Sequence, residues 1–164
     1  AGRAGGVGGG RSVRLEGGGL AVELPGGWEG EVLGGGELTT QAEGLAERRV
    51  VAHFANFPLP AERADFGAGA VELMRPGDAF VVLFEYGPEA VGQPLFASEG
   101  IPRITARDFD RNALQHGIPG QSGLQRFFTV NGRAFCLYVV VGSHIDRADV
   151  IPQINQVLES VVVG

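Results

Sequence analysis

The chain has 164 residues, 44% hydrophobic and 20% charged, a composition of folded globular chains and a length sufficient for one domain with a real core. Its net charge is −6 and all 13 basic residues are arginine, so there is no basic stripe to meet a phosphate backbone or an anionic membrane surface. No apolar run approaches the roughly 18 residues needed to span a bilayer, and no stretch reads as a signal peptide.

Residues 1–11 are Gly-rich and read as a flexible linker, of the kind that tethers a domain to an anchor. Residues 12–164 read as a single α+β domain. Val13 to Glu16 and Leu20 to Leu24 are short strands around a triple glycine. The second alternates, with Leu20, Val22 and Leu24 inward. Pro25-Gly-Gly-Trp28 turns the chain, and Glu31 to Leu33 is a third short strand. Residues 37–48 are polar and read as loop. Val50 to Phe57 is a stronger strand, ended by Pro58 and Pro60.

Ala61 to Met74 fits neither period. Its glycines discourage a helix, each at a cost of roughly 1 kcal/mol against Ala, and Val71 to Met74 is either a strand or one helical turn. Arg75-Pro-Gly-Asp78 is a turn. Ala79 to Tyr86 is a strand with Phe80, Val82, Phe84 and Tyr86 on one face and Ala79, Val81 and Leu83 on the other. Gly87 to Ala90 turns again. Residues 92–122 are irregular, with a short strand at Arg103 to Arg107 and a short helix at Asp108 to Gln115 as the expected elements. A long excursion of this kind inside a compact domain is a place to look for a binding site.

Asn131-Gly132 lies between two apolar runs, Leu124 to Val130 and Arg133 to Val141. A type I′ turn requires positive φ at both central residues, and Asn-Gly supplies it. The two-residue turn sets the register: Val130 opposite Arg133, Phe128 opposite Phe135, Arg126 opposite Leu137, Leu124 opposite Val139, with Phe127 against Cys136 and Gln125 against Tyr138. The second run is apolar on both faces, which predicts an interior strand. From Val150 the apolar spacing becomes helical through Ile154, Val157 and Leu158 to Val161. Asp146 or Asp149 is the N-cap. Asp149 suits Pro152 better, because the first turn does not need the missing N–H. The helix should end near Ser160, with Val161 to Val163 a last turn or a terminal strand. The fold expected from these elements is α+β: a central antiparallel sheet flanked by helices, with a C-terminal β-hairpin followed by a packing helix.

The order of these elements resembles a known family. An early alternating strand runs into Leu24-Pro25 and Trp28, sheet strands follow, and the chain closes with the 124–141 hairpin and a helix ending Val157-Leu158-Glu159-Ser160-Val161. This is similar to the PsbP-like fold group, whose bacterial members include exported lipoproteins. The resemblance covers residues 12–33 and 124–163. It implies an α/β/α sandwich and mostly non-enzymatic, partner-binding roles. It implies no catalytic motif and assigns no residue a role.

Few residues carry chemistry. A phosphate loop of the Gly-Lys-Ser/Thr type is excluded by the absence of lysine, and no cofactor is expected. His53, His116 and His144 are too scattered for metal ligands; His53 reads as a hydrogen-bonded sheet residue. Gly120-Gln121-Ser122-Gly123 superficially resembles a nucleophile elbow but precedes a strand instead of joining strand to helix. Cys136 reads as a small buried hydrophobe and Trp28 as a packing residue. The leading expectation is a non-catalytic interaction domain that presents a sheet-and-loop surface to a protein partner, tethered or secreted outside the cytoplasm. The alternative is a carrier of a small apolar ligand, with a pocket near 92–122 lined by residues such as Phe96, Ile101 and Phe109. A third is a hydrolase using Ser122, which requires His116 or His144 within hydrogen-bond reach.

Overall fold

The computed structural model describes residues 11–34 and 49–164; all of the expected linker but Arg11, and the polar stretch 37–48, lie outside them. Among the described residues two antiparallel sheets are built from eight strands. β1 (Val13–Gly17) and β2 (Leu20–Leu24) form a hairpin closed by Gly18 and Gly19, both at positive φ. β3 (Glu29–Leu33), β4 (Val51–Ala55), β5 (Ala79–Glu85), β6 (Ser122–Val130) and β7 (Arg133–Val141) form the central sheet in the order β3-β4-β5-β7-β6. The helix α1 (Arg147–Ser160) follows, and β8 (Val162–Val163) returns to pair with β2 in the small sheet.

The β6–β7 hairpin has the expected register at every position from Leu124↔Val139 to Val130↔Arg133. Asn131 and Gly132 both have positive φ, as the turn demands. Phe128 and Phe135 stack with ring centroids 5.7 Å apart. β7 lies between β5 and β6, and its two apolar faces are both covered, one in each of the two main core clusters. Alternation along the strands divides the core. On one face Phe54, Val81, Leu83, Leu124, Leu137 and Val139 pack beneath β2 and the apolar stripe of α1. On the other, Phe80, Val82, Tyr138 and Val140 pack against Phe57, Ala70, Val71, Phe66 and Leu114 from the connections.

That second face corrects the expected architecture. The sheet is not flanked by helices: among the described residues α1 is the one α-helix, and the fold is sheet-dominated. The layering implied by the family resemblance is not seen either, because loops and single 3₁₀ turns take the place of a second helical layer. The reason is local. Gly67 and Gly69 sit at φ 95° and 99°, conformations a helix does not contain. Pro88 and Pro94 begin turns of three residues each, and Val71–Leu73 is a third such turn. Arg103 to Arg107 is not a strand, and Asp108 to Gln115 is not a helix. The chain there runs extended and makes one 3₁₀ turn at Ala106–Asp108, whose ends are closed by Thr105 and Asp108. This segment instead wraps the outer edge of β6. Thr129 N donates to Ser98 O, Gly100 N to Thr129 O, and Asp110 exchanges two backbone bonds with Gly123. An otherwise open sheet edge is thereby closed.

The helix takes the earlier of its two expected starts, not the one that suits Pro152 better. α1 begins at Arg147 with Asp146 as N-cap, so Pro152 lies inside the helix and not in its first turn. Arg147 accounts for the extra turn: its Nε donates to Ala106 O at 2.8 Å and its Nη1 to His144 O at 2.7 Å. Pro152 removes one backbone donor on the exposed side of α1, where water can satisfy the freed carbonyl.

Two polar clamps fix the layers. Asn155, 5% exposed, accepts from Ile104 N at 2.9 Å and donates to Ile104 O at 2.8 Å, so α1 grips the edge-wrapping segment as a strand would. Arg133 forms a bidentate pair with Glu85, 2.8 Å on each branch, and donates to Gly18 O at 2.9 Å and Gly164 O at 3.1 Å. It ties the central sheet to the β1–β2 turn and to the residue after β8.

Candidate functional site

Three connections meet where β5 and β6 begin and β7 ends. Each is held by backbone bonds. Gly142 N donates to Asp78 O at 2.8 Å, and His144 N donates to Gly120 O at 2.7 Å. The Gln121 side chain crosses to the third connection, donating from Nε2 to Val71 O at 2.8 Å. Gly142 is required by this closeness, since a Cβ there would run into the carbonyl of Arg75. Between the three connections lies a notch of about 370 Å³, lined by Glu72, Met74, Arg111, Ile118, Gln121 and Ile145 among others. This is within the size range of small-ligand and side-chain pockets.

The notch pairs apolar walls with polar groups that lack partners. Ile145 is 81% exposed on its rim, and Leu73, between two of the lining residues, is 58% exposed. Gln121 is 4% exposed, yet its Oε1 has no hydrogen-bond partner among the described residues. Arg111 makes no hydrogen bond or ion pair with a described residue, and Glu72 uses only Oε2, on Gly69 N at 2.7 Å. His144 stands beside the notch. Partial burial first, and then the charges of Arg147 and Arg111, hold its imidazole below the ordinary value, against an opposing pull from Asp110. These effects favour its neutral form.

The sequence-derived candidates fall in several places. Ser122 begins β6 and is fully buried; its Oγ has no hydrogen-bond partner among the described residues, so neither His116 nor His144 is in position to activate it. His144 and the Gly120 loop do meet, but through the backbone. Burial pushes the Cys136 thiol up to about 12, where it is not a nucleophile at neutral pH. His53 is buried in β4: its Nε2 donates to Asp65 O at 2.7 Å and its Nδ1 accepts from Arg63 Nε at 2.7 Å. Trp28 is 6% exposed and its Nε1 donates to Gln153 Oε1 at 3.3 Å, which makes it a packing residue under α1.

Phe96, Ile101 and Phe109 do not share a pocket. Phe96 is buried with Ala134 on the loop-covered face, and Phe109 is buried in the core under α1. Ile101 borders a shallow groove of about 250 Å³ with Pro102, Arg103, Leu158, Glu159 and Val161. The residue that sequence reasoning passed over is Gln121, although it stands inside the motif that drew attention to Ser122. Alternation along β6 offered the missed signal: if Leu124 and Phe128 face the helix, then Gln121 faces away from it, toward the loops. Among the described residues no three acidic, His or Cys side chains gather as a metal site would require.

Comparison of the chain with protein-family models, with curated proteins and with solved structures found no match.

Proposed function

We propose that the chain is a non-catalytic interaction domain that meets a protein partner with the loop end of its central sheet. One observation carries this reading: Ile145, the most exposed large apolar side chain among the described residues, stands in solvent at the rim of a notch, and Leu73, between two of the lining residues, is exposed beside it. Exposed apolar residues beside a concavity favour association, because covering them removes apolar area from water. The loops bearing them are tied down by the Gly142, His144 and Gln121 bonds, so little ordering entropy opposes binding. The buried, unpartnered Ser122 and the high-pKa Cys136 support a role without covalent chemistry.

The test is affinity capture from the source cells with the wild-type chain and a Leu73→Asp/Ile145→Asp double variant, with circular dichroism to verify folding. A partner held by the wild type and lost by the folded variant supports the reading, and equal capture by both overturns it. The Gly-rich stretch at residues 1–11 supports an extracytoplasmic, tethered location. Protease treatment of intact cells checks it: cleavage of the domain in place is the expected outcome, and full protection contradicts it. Among the described residues no helix is long and apolar enough to cross a membrane.

A further inference from the structure

The notch constrains what the partner must present. Its walls are Met74, Ile118 and Ile145, which suit one branched or aromatic side chain in a space of about 370 Å³. Two charges of opposite sign line the same space. Arg111 is unpaired among the described residues, and the Oε1 of Glu72 has no hydrogen bond there. Gln121 contributes an amide anchored to Val71 O. Both charges are exposed at the mouth of the notch, where a segment of complementary charge gains two ion pairs that a purely apolar ligand lacks.

Resting on the interaction-domain reading, we infer that the notch takes a peptide segment in which an apolar anchor side chain is flanked by one acidic and one basic residue. The acidic residue pairs with Arg111, where a planar guanidinium can hold a carboxylate on two bonds. The basic residue pairs with Glu72. The anchor fills the space between Met74, Ile118 and Ile145. The two charges fix which way the segment runs, while the anchor provides most of the affinity.

The experiment is NMR titration of the full chain with capped peptides carrying a central Leu or Phe between Lys and Asp, in both orders. Control peptides carry Gln in place of each charge. The expected result is shifts confined to Gln121, Ile145 and their neighbours, with one order binding better than the other. Arg111→Glu should weaken the favoured peptide about tenfold and leave the peptide lacking Asp nearly unchanged. A Glu72→Arg/Arg111→Glu double variant should prefer the opposite order. Equal binding of charged and uncharged peptides at the notch overturns the charge assignment while leaving the interaction surface standing. Absence of shifts at the notch with every peptide also overturns it, and the capture experiment above then separately decides whether this end of the sheet meets a partner.

Discussion

Single side chains show which polar groups the fold uses and which it merely tolerates. His53 is used: with Nδ1 accepting from Arg63 and Nε2 donating to Asp65 O, only the neutral ring satisfies both bonds. Arg63 is itself buried, donating to Pro60 O at 2.7 Å and to Glu31 Oε1 at 3.1 Å. Burial lowers the His53 pKa, with the Arg63 charge acting in the same direction. The folded chain therefore resists a proton that the unfolded chain accepts below about pH 6.5. Stability from this group is complete above that pH and declines as pH falls from there toward the folded value, by at most about 1.4 kcal/mol per pH unit. Urea unfolding of wild type and His53→Gln from pH 8 to pH 5 checks this: the wild type should show the steeper fall below pH 6.5, and parallel curves would contradict it. Ser122 is tolerated, a buried hydroxyl without a partner among the described residues. Ser122→Ala should leave stability unchanged or raise it by about 1 kcal/mol, seen as a higher urea midpoint. Marked destabilisation would reveal a bond that the geometry does not show. The sequence located both residues, but it could not say which would find partners, because those partners lie in distant segments or nowhere.

Elements behave as their local patterns dictate wherever their stabilisation is local. The β6–β7 register follows from the Asn-Gly turn, and the apolar stripe of α1 from its 3.6-residue spacing. Pattern reading fails between Arg103 and Gln115, where the backbone is satisfied by tertiary partners: Ile104 by the Asn155 amide, Asp110 by Gly123. Asn155→Ala removes both bonds to Ile104 and leaves buried backbone groups unpaired, for an expected loss of about 2–3 kcal/mol in urea unfolding. Hydrogen exchange should then rise along residues 98–110 more than in β5 or β7. Uniform acceleration would mean that Asn155 serves the whole core and not this segment. The helix start follows the same logic, since Arg147 gains Ala106 O by beginning the helix three residues before Val150. A sequence window around Pro152 does not contain Ala106.

At the scale of the whole molecule, two sheets share one core, and polar links between them come from Arg133 and from Asn131, whose Nδ2 donates to Val163 O at 3.1 Å. The Arg133–Glu85 pair is four-fifths buried, and Arg133 also reaches Gly18 O and Gly164 O. Arg133→Ala should cost about 2–3 kcal/mol. Arg133→Lys should recover only part of this, because an ammonium cannot reproduce the fork. Thermal unfolding of the two variants checks the order, and full recovery by lysine would assign the effect to charge and to stem packing over Phe135 instead of the fork. By itself the sequence determined strands β1 to β7, the inward face of β2, the β6–β7 register and the presence of α1, because turn chemistry and side-chain periodicity act within a few residues, although it placed at 103–107 a strand that does not form. It also indicated a chain without an evident catalytic motif. Only the tertiary structure decided that loops rather than helices cover the second face, that residues 98–110 seal the β6 edge, and that Gln121, Arg111, Glu72 and Ile145 meet at one notch. Those outcomes depend on which distant backbone groups and apolar faces come together once the sheet is assembled, and residues 73 positions apart, as Glu72 and Ile145 are, carry no local sign that they will share a cavity.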